Sequence, residues 1–325
     1  MTYAKGGNIS ATDLNGFVGA NGVSTAYASS AAATSKVAAL YGVGFGDRGY
    51  GQTSPAVGPV TAGSPIQASR WVDVRTAIAT MANHQGTAQT LNPPASEFVA
   101  GSSIKAEVPA TTAYDIQTMI NNVDTNRLNA SAGNMTLVAN AISSIRSAAW
   151  GSSGGPAIGA DFTATFTTED KARFFFNSGG TLNLVMSHAT TSTTQNSNWN
   201  SILSALGTIS MGARNTTRSG SGGTPAALGY YNLTTSAQTI FSGNIGTGAY
   251  TANSIAITAW VVNVVGTNGG NGTVVRIKVV LTDGHTNAFS DTVASGTTAT
   301  LGYRKSATYL TGIETPTFAV PVQFG

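Results

Sequence analysis

Cysteine is absent from all 325 residues, which excludes disulfides, thiolate metal sites and cysteine nucleophiles together. The compartment stays open, since a cysteine-free chain suits a reducing cytosol and equally a particle that meets changing redox conditions. Charge is scarce as well. Sixteen Lys+Arg and thirteen Asp+Glu make 9% of the chain, against about 25% in an ordinary soluble protein. The net charge of +3 therefore describes a sparsely titrating chain and not a basic patch. Without a cluster of cations there is no footprint for a phosphate backbone, so no nucleic-acid partner is expected. Long apolar runs are missing too. The best, Ile255 to Val265, falls well short of the ~20 residues a spanning helix needs, and Met1 to Ser10 lacks the apolar centre of a signal peptide. Neither membrane insertion nor secretion by that route is expected.

The material present is glycine, serine, threonine, asparagine and alanine, with glycine at 39 of 325 residues. Apolar residues make up 41% and the mean hydropathy is +0.06. That is too apolar and too weakly charged for a chain disordered throughout, so a packed protein of one to three domains is expected.

The pattern predicts an α+β protein whose two halves differ. Residues 1–155 read as a helical, loop-rich assembly or attachment region. A Ser10 or Thr12 cap opens a short helix with Leu14, Phe17 and Val18 on one face, and alanines mark another from Tyr27 to Tyr41. A third, Ser64 to Asn83, carries Ile66, Trp71, Val74, Ile78 and Met81 at helical spacing and stops at Gly86. A fourth, Ala113 to Asn129, has one apolar stripe. These helices are thin for a core of their own, which points to Leu14, Phe17 and Trp71 as candidate subunit contacts.

Gly151 to Gly159 reads as a linker. Beyond it, residues 156–325 read as an antiparallel, sandwich-like β domain carrying two short helices. Expected strands are 161–168, 181–187, 208–211, 229–233, 254–265, 273–282 and 317–324. The pair 254–265 and 273–282 reads as a hairpin closed by the Gly266–Gly272 loop. Thr167 and Asp170 make a capping box for a helix over Glu169–Phe176, and Asn198–Leu206 supplies the second. Phe174, Phe175 and Phe176 in succession cannot all face one core, so at least one is expected on a second layer or a neighbouring subunit.

The candidate chemistry dissolves on inspection. Gly44, Gly46 and Gly49 match G-x-G-x-x-G, but Tyr50, Gly51, Gln52 and Pro55 cannot open the helix that motif needs. Gly151, Ser153 and Gly155 match a nucleophile elbow, yet a proline follows instead of a helix. His84, His188 and His285 are isolated from one another, and Asp283 to Asp291 lacks the bidentate Glu of a calcium loop. Glu169 and Asp170 suit a helix start. No catalytic, cofactor-binding or metal-binding residues are expected, and no cofactor.

Six phrases carry a resemblance. Gly46-Asp47-Arg48-Gly49-Tyr50-Gly51-Gln52, Ala82-Asn83-His84-Gln85-Gly86, Asp124-Thr125-Asn126-Arg127-Leu128-Asn129, Ala172-Arg173-Phe174-Phe175-Phe176-Asn177-Ser178-Gly179-Gly180, Tyr230-Tyr231-Asn232-Leu233-Thr234-Thr235 and Tyr250-Thr251-Ala252-Asn253 resemble virion structural proteins of tailed phages, best represented among cyanophages, and the Ile9 to Phe17 opening resembles the start of many tail-associated phage proteins. The resemblance implies a non-enzymatic particle component of the tail, neck or collar, fibre or baseplate, assembled in the host cytoplasm. It would be a homo-oligomer, trimer or ring, in contact with other virion proteins. Two other readings stay open: a capsid-decorating cement protein, and an attachment protein that stacks host glycan on Tyr230, Tyr231 or Trp260. Of these, Trp260 lies in an apolar run and reads as core.

Overall fold

The computed structural model describes residues 11–19, 36–53, 57–61, 63–87, 89, 116–151, 157–189, 191–262, 268–285 and 291–325. Within them lie helices α1 (Ala11–Val18), α2 (Val37–Tyr41), α3 (Ala68–Gln85), α4 (Ile116–Thr125), α5 (Glu169–Asn177) and α6 (Thr194–Leu206). The strands are β1 (Met135–Ile145), β2 (Ala157–Thr165), β3 (Thr181–His188), β4 (Ile209–Met211), β5 (Thr216–Arg218), β6 (Thr224–Pro225), β7 (Gln238–Asn244), β8 (Ser254–Val261), β9 (Val274–Thr282), β10 (Thr297–Ser306) and β11 (Thr317–Val322).

Two antiparallel sheets form, in the orders β1-β10-β3-β4-β5 and β11-β2-β9-β8-β7-β6. The fold is α+β, as the composition of the two halves implies. Alternation drives the sheets: β8 buries Ile255, Ile257, Ala259 and Val261, and β9 buries Val275, Ile277, Val279 and Leu281. Those eight side chains share one face because successive Cβ atoms alternate across a strand. In the other sheet Leu182, Leu184, Met186, Ala299 and Leu301 do the same. The sheets approach at both margins, β1 beside β11 and β5 beside β6.

Helix starts follow local chemistry. The Thr168 side chain accepts from the Lys171 amide to cap α5, and Thr193 accepts from the Asn196 amide to cap α6. The α5 cap is thus one residue later than the capping box places it, because Thr167 is engaged elsewhere, by Glu314. Gly86, at φ 75°, ends α3 in the left-handed conformation that suits glycine.

The expected boundary at 155 does not separate two units. β1 precedes it, yet pairs with β10 on both sides of a bulge, over 135–138 and 142–145, and one buried apolar cluster runs from Leu14 to Phe324. Both β1 and β10 go unread in the sequence, where their Ser, Thr, Ala and Asn content hides the alternation. Residues 229–233, expected as a strand, instead hold a 3-10 turn at Tyr230–Asn232. α3 begins at Ala68 and not Ser64, and α6 begins four residues before Asn198. Most of the expected Tyr27–Tyr41 helix, and residues 152–156 of the linker, lie outside the described residues.

Candidate functional site

Three of the helices meet the sheets at a polar junction built around Arg173. This residue sits mid-helix in α5 with its side chain fully buried, where an uncompensated cation would be costly. Its Nε pairs with Asp170 Oδ1 at 3.0 Å. The rest of the guanidinium donates to four backbone carbonyls of one loop: Val43 at 2.5 Å, Gly44 and Gly46 at 2.7 Å, and Arg48 at 3.1 Å. The planar fork of arginine is what lets one side chain reach that many acceptors.

This geometry decides the Gly44-x-Gly46-x-x-Gly49 match. A phosphate cradle turns amide N–H groups inward, whereas here carbonyl oxygens converge, which suits a cation. Arg173 is that cation. Asn177 Nδ2 donates to the carbonyls of Gly46 and Gly49, and Tyr231 Oη lies 2.7 Å from both the Gly46 carbonyl and Asn177 Oδ1, sharing its single proton between them. Gly51, at φ 66°, lies so close to Phe174 that a Cβ there would come within 2.3 Å of the ring.

Beside the loop, Asp47 is buried and joined to Arg127 at 2.8 Å and Arg214 at 2.5 Å. Burial pulls its carboxyl upward, and the hydrogen bonds and charges of Arg127 and Arg214 outweigh that, holding it below the usual range. Arg48 reaches Asp124 at 3.4 Å. Tyr50 Oη donates to the Arg127 carbonyl and accepts from Gln85 Nε2, while burial pushes its phenol well above its ordinary value. His84 bonds the Ser178 carbonyl through Nε2, and burial lowers its pKa. Five of the six phrases that carry the resemblance meet at this junction, where their polar atoms hold loop, helices and sheets together, whereas Tyr250 to Asn253 lies apart, beside Asp291 and His285.

A second polar cluster lies at the far end of β3. His188 bridges Thr297 Oγ1 at 3.0 Å and Asn196 Oδ1 at 3.2 Å, and Trp150 Nε1 donates to the same threonine. Nearby, Asp283 accepts from Gln195 Nε2 and from the His285 amide, and burial raises its carboxyl above the usual range. Tyr250 donates to Asp291 at 2.7 Å, with its phenol raised to about 12 by burial and by that carboxylate. Every one of these side chains is tied to a neighbour in the same chain. No group of three or more His, Asp and Glu suited to a metal occurs among the described residues. Ser153 and Gly155 of the elbow match lie outside them.

The six candidate contact residues are all interior. Leu14, Phe17, Trp71, Phe174, Phe175 and Phe176 are each at most 8% exposed. Phe17 meets Trp71 edge-on at 5.8 Å, Phe175 meets Phe166 at 5.3 Å, and Phe176 stacks on Tyr230 at 4.4 Å. Phe174 packs under Arg173 and Gly51. The second layer expected for the triple Phe is therefore the loop-and-helix half of the same chain, and this area is already covered. Trp260 reverses the other way. It is not core: it stands on the outer face of its sheet, where Arg276 lies 4.9 Å over its ring and pairs with Asp161 at 2.6 Å. Alternation explains this, since Ile257, Ala259 and Val261 take the inner face.

Among the described residues, a surface cleft of about 510 Å³ is lined by Asn215 to Arg218, Gly220 and Pro225 to Ala227. Arg218 turns its guanidinium back onto the Gly220, Gly222 and Gly223 carbonyls, and no aromatic ring lines the cleft. No helix among the described residues is long and apolar enough to cross a membrane. No family model, curated protein or solved structure matches this chain.

Proposed function

We propose that this chain is a non-catalytic structural subunit of a tailed-phage particle, placed in the tail, neck or collar, fibre or baseplate, where it works through contacts with its own copies and with other virion proteins. The observation that supports the reading is the convergence of five of the six resembling phrases on the Arg173 junction. Phrases scattered from residue 46 to 235 serve one scaffold there, and their polar groups are engaged in packing rather than gathered into a reaction centre. Low charge fits the same role, because little stability then depends on surface pairs that salt screens.

The test is to raise an antibody against the purified chain and label purified phage particles for electron microscopy. Label on the tail or neck supports the proposal. Label spread over capsid faces would make the chain a cement protein, and particles without the chain would overturn the virion reading altogether.

One observation favours a second reading, attachment to host glycan. Trp260 stands half-buried on the outer face of its sheet, beside Thr258 and the exposed Lys278, and aromatic rings stack on sugars, although here Arg276 lies over one ring face and leaves only the rest of the indole to do so. Binding to host surface polysaccharide, abolished by Trp260→Ala in a chain of unchanged fold, would establish it.

A further inference from the structure

The polar cluster at the end of β3 fixes its own protons. Asn196 Oδ1 accepts from the Ala294 amide at 2.9 Å and lies 3.2 Å from His188 Nε2. A backbone amide can only donate, so the Asn196 atom on this side is the oxygen, and His188 Nε2 must carry the proton between them. Burial lowers the His188 pKa and keeps the ring neutral, which leaves Nδ1 bare. Nδ1 lies 3.0 Å from Thr297 Oγ1, and Trp150 Nε1, which also can only donate, reaches the same oxygen at 3.0 Å. The single Thr297 hydroxyl proton therefore points at His188. A hydroxyl, an imidazole that accepts its proton and an amide oxygen that fixes the imidazole's tautomer are the parts of an activated nucleophile.

Thr297 and His188 are at most 1% exposed, so a free substrate does not reach them. An acyl carbon of the chain itself does. A threonine hydroxyl closes on the carbonyl carbon of the residue before it through a five-membered ring, and here that residue is Gly296. At φ 99° and with no side chain, Gly296 leaves the approach open: a Cβ built there meets nothing nearer than Ala189 at 4.0 Å. Thr298 Oγ1 donates to the Gly296 oxygen at 3.4 Å, the atom on which negative charge develops when the carbonyl is attacked.

We propose that the chain cuts itself once, at the Gly296–Thr297 bond, by an acyl shift from the Thr297 nitrogen to its own hydroxyl. His188 Nδ1 takes the hydroxyl proton as Oγ1 bonds to the Gly296 carbonyl carbon. The bond from that carbon to the Thr297 nitrogen then breaks, and the proton passes from His188 to the departing amine. Water hydrolyses the resulting ester, which frees the Gly296 carboxyl and restores the Thr297 hydroxyl beside a new amino terminus. Asn196 acts through His188 and is a positioning residue. β10 and β11 lie beyond the cut and stay paired with β1, β3 and β2, so the severed chain keeps its sheets. One cut per chain is a processing event without turnover, and it stands beside the structural role without depending on it.

The test follows the purified full-length chain near neutral pH by intact mass, with and without hydroxylamine, which captures an ester. The expected result is a pair of fragments, 1–296 and 297–325, the second beginning with a free Thr297 amine. Hydroxylamine should raise their yield several-fold and leave a hydroxamate on Gly296. Thr297→Val, close to threonine in shape, should give no fragments, and Thr297→Ser, which keeps the hydroxyl, should still give them, so the assignment survives a valine variant that fails to fold. His188→Gln should slow their appearance by about a hundredfold or more. A natural chain that stays intact in hydroxylamine overturns the proposal, as do fragments that begin anywhere but Thr297. Cutting at the natural rate in a folded Thr297→Val or His188→Gln chain overturns it as well.

Discussion

Arg173 and Gly44 are 129 residues apart in sequence, and a guanidinium nitrogen of the first donates to the carbonyl of the second at 2.7 Å. That bond is one of several through which a single buried side chain fastens the N-terminal loop to the β-rich half. Replacing Arg173 with Met keeps an unbranched stem and removes the guanidinium with every donor, leaving the Val43, Gly44, Gly46 and Arg48 carbonyls short of a partner. Loss of a buried hydrogen-bonded charge of this kind typically costs about 3–5 kcal/mol. The expected outcome is a large fall in the denaturant midpoint, with Arg173→Lys only partly restoring it because an ammonium cannot span the loop. A midpoint within error of the natural chain would remove the junction from the stability argument.

Gly51 tests the same contact from the other side. At φ 66° with the Phe174 ring in its way, an added methyl must strain the backbone and displace the ring. Gly51→Ala is expected to destabilise by roughly 2–4 kcal/mol, combining a disfavoured conformation with overpacking. A double variant with Phe174→Leu should recover part of the loss, since the two changes meet at one point. Full additivity in a denaturant cycle would argue against that contact.

How much of this was legible in the sequence follows from where the side chains point. The β8–β9 hairpin shows in the sequence because its inner face is Ile, Val, Leu and Ala against a polar outer face. β1 and β10 stay hidden: β1 has large apolar residues on both faces, Leu137 and Ile145 on one and Val138 and Ile142 on the other, and β10 mixes Thr and Ala with Leu301 and Tyr303, so no clean alternation shows and only pairing with each other and with β3 fixes their state. The candidate contacts failed for a related reason. A helical stripe tells which face is buried and not by what, so Phe17, Trp71 and the triple Phe read equally well as interface or interior. A signal for the junction did exist: an arginine inside Ala-Arg-Phe-Phe-Phe is a lone cation amid buried rings, which demands acceptors from somewhere.

The buried histidines set an acid limit. Burial lowers the pKa of both His84 and His188 in the folded chain, whereas the unfolded value is about 6.5. The unfolded state then binds more protons between the folded and unfolded values, so stability is complete above about 6.5 and falls as pH drops below it, by up to about 1.4 kcal/mol per pH unit for each histidine. Asp47 acts in the same direction lower on the scale, since its folded pKa lies below the unfolded one. His84→Gln and His188→Gln are expected to flatten the fall between pH 6.5 and 5 and to leave the Asp47 region unchanged, as read by urea midpoints across pH. An undiminished slope in the double variant would assign the acid loss to other groups.

Asp283 bears the opposite sign. Its folded pKa is raised by burial, so it holds a proton more tightly folded than unfolded, and the ionised group subtracts stability as pH rises through the window above its ordinary value. Asparagine offers a neutral replacement of nearly the same shape. Its Oδ1 keeps the bond from the His285 amide. Its Nδ2 then faces Gln195, whose Oε1 is buried without a partner; turning that amide over converts the existing contact into an Asn-to-Gln bond and satisfies the orphan acceptor. Asp283→Asn is therefore expected to be neutral or to stabilise at pH 7 by up to about 1 kcal/mol, with the gain vanishing as acid protonates the natural carboxyl. Thermal melting at pH 7 and pH 4 decides it. A loss of stability at both values would mean that Asp283 is held ionised by its neighbours, and the direction argued from its burial would be reversed.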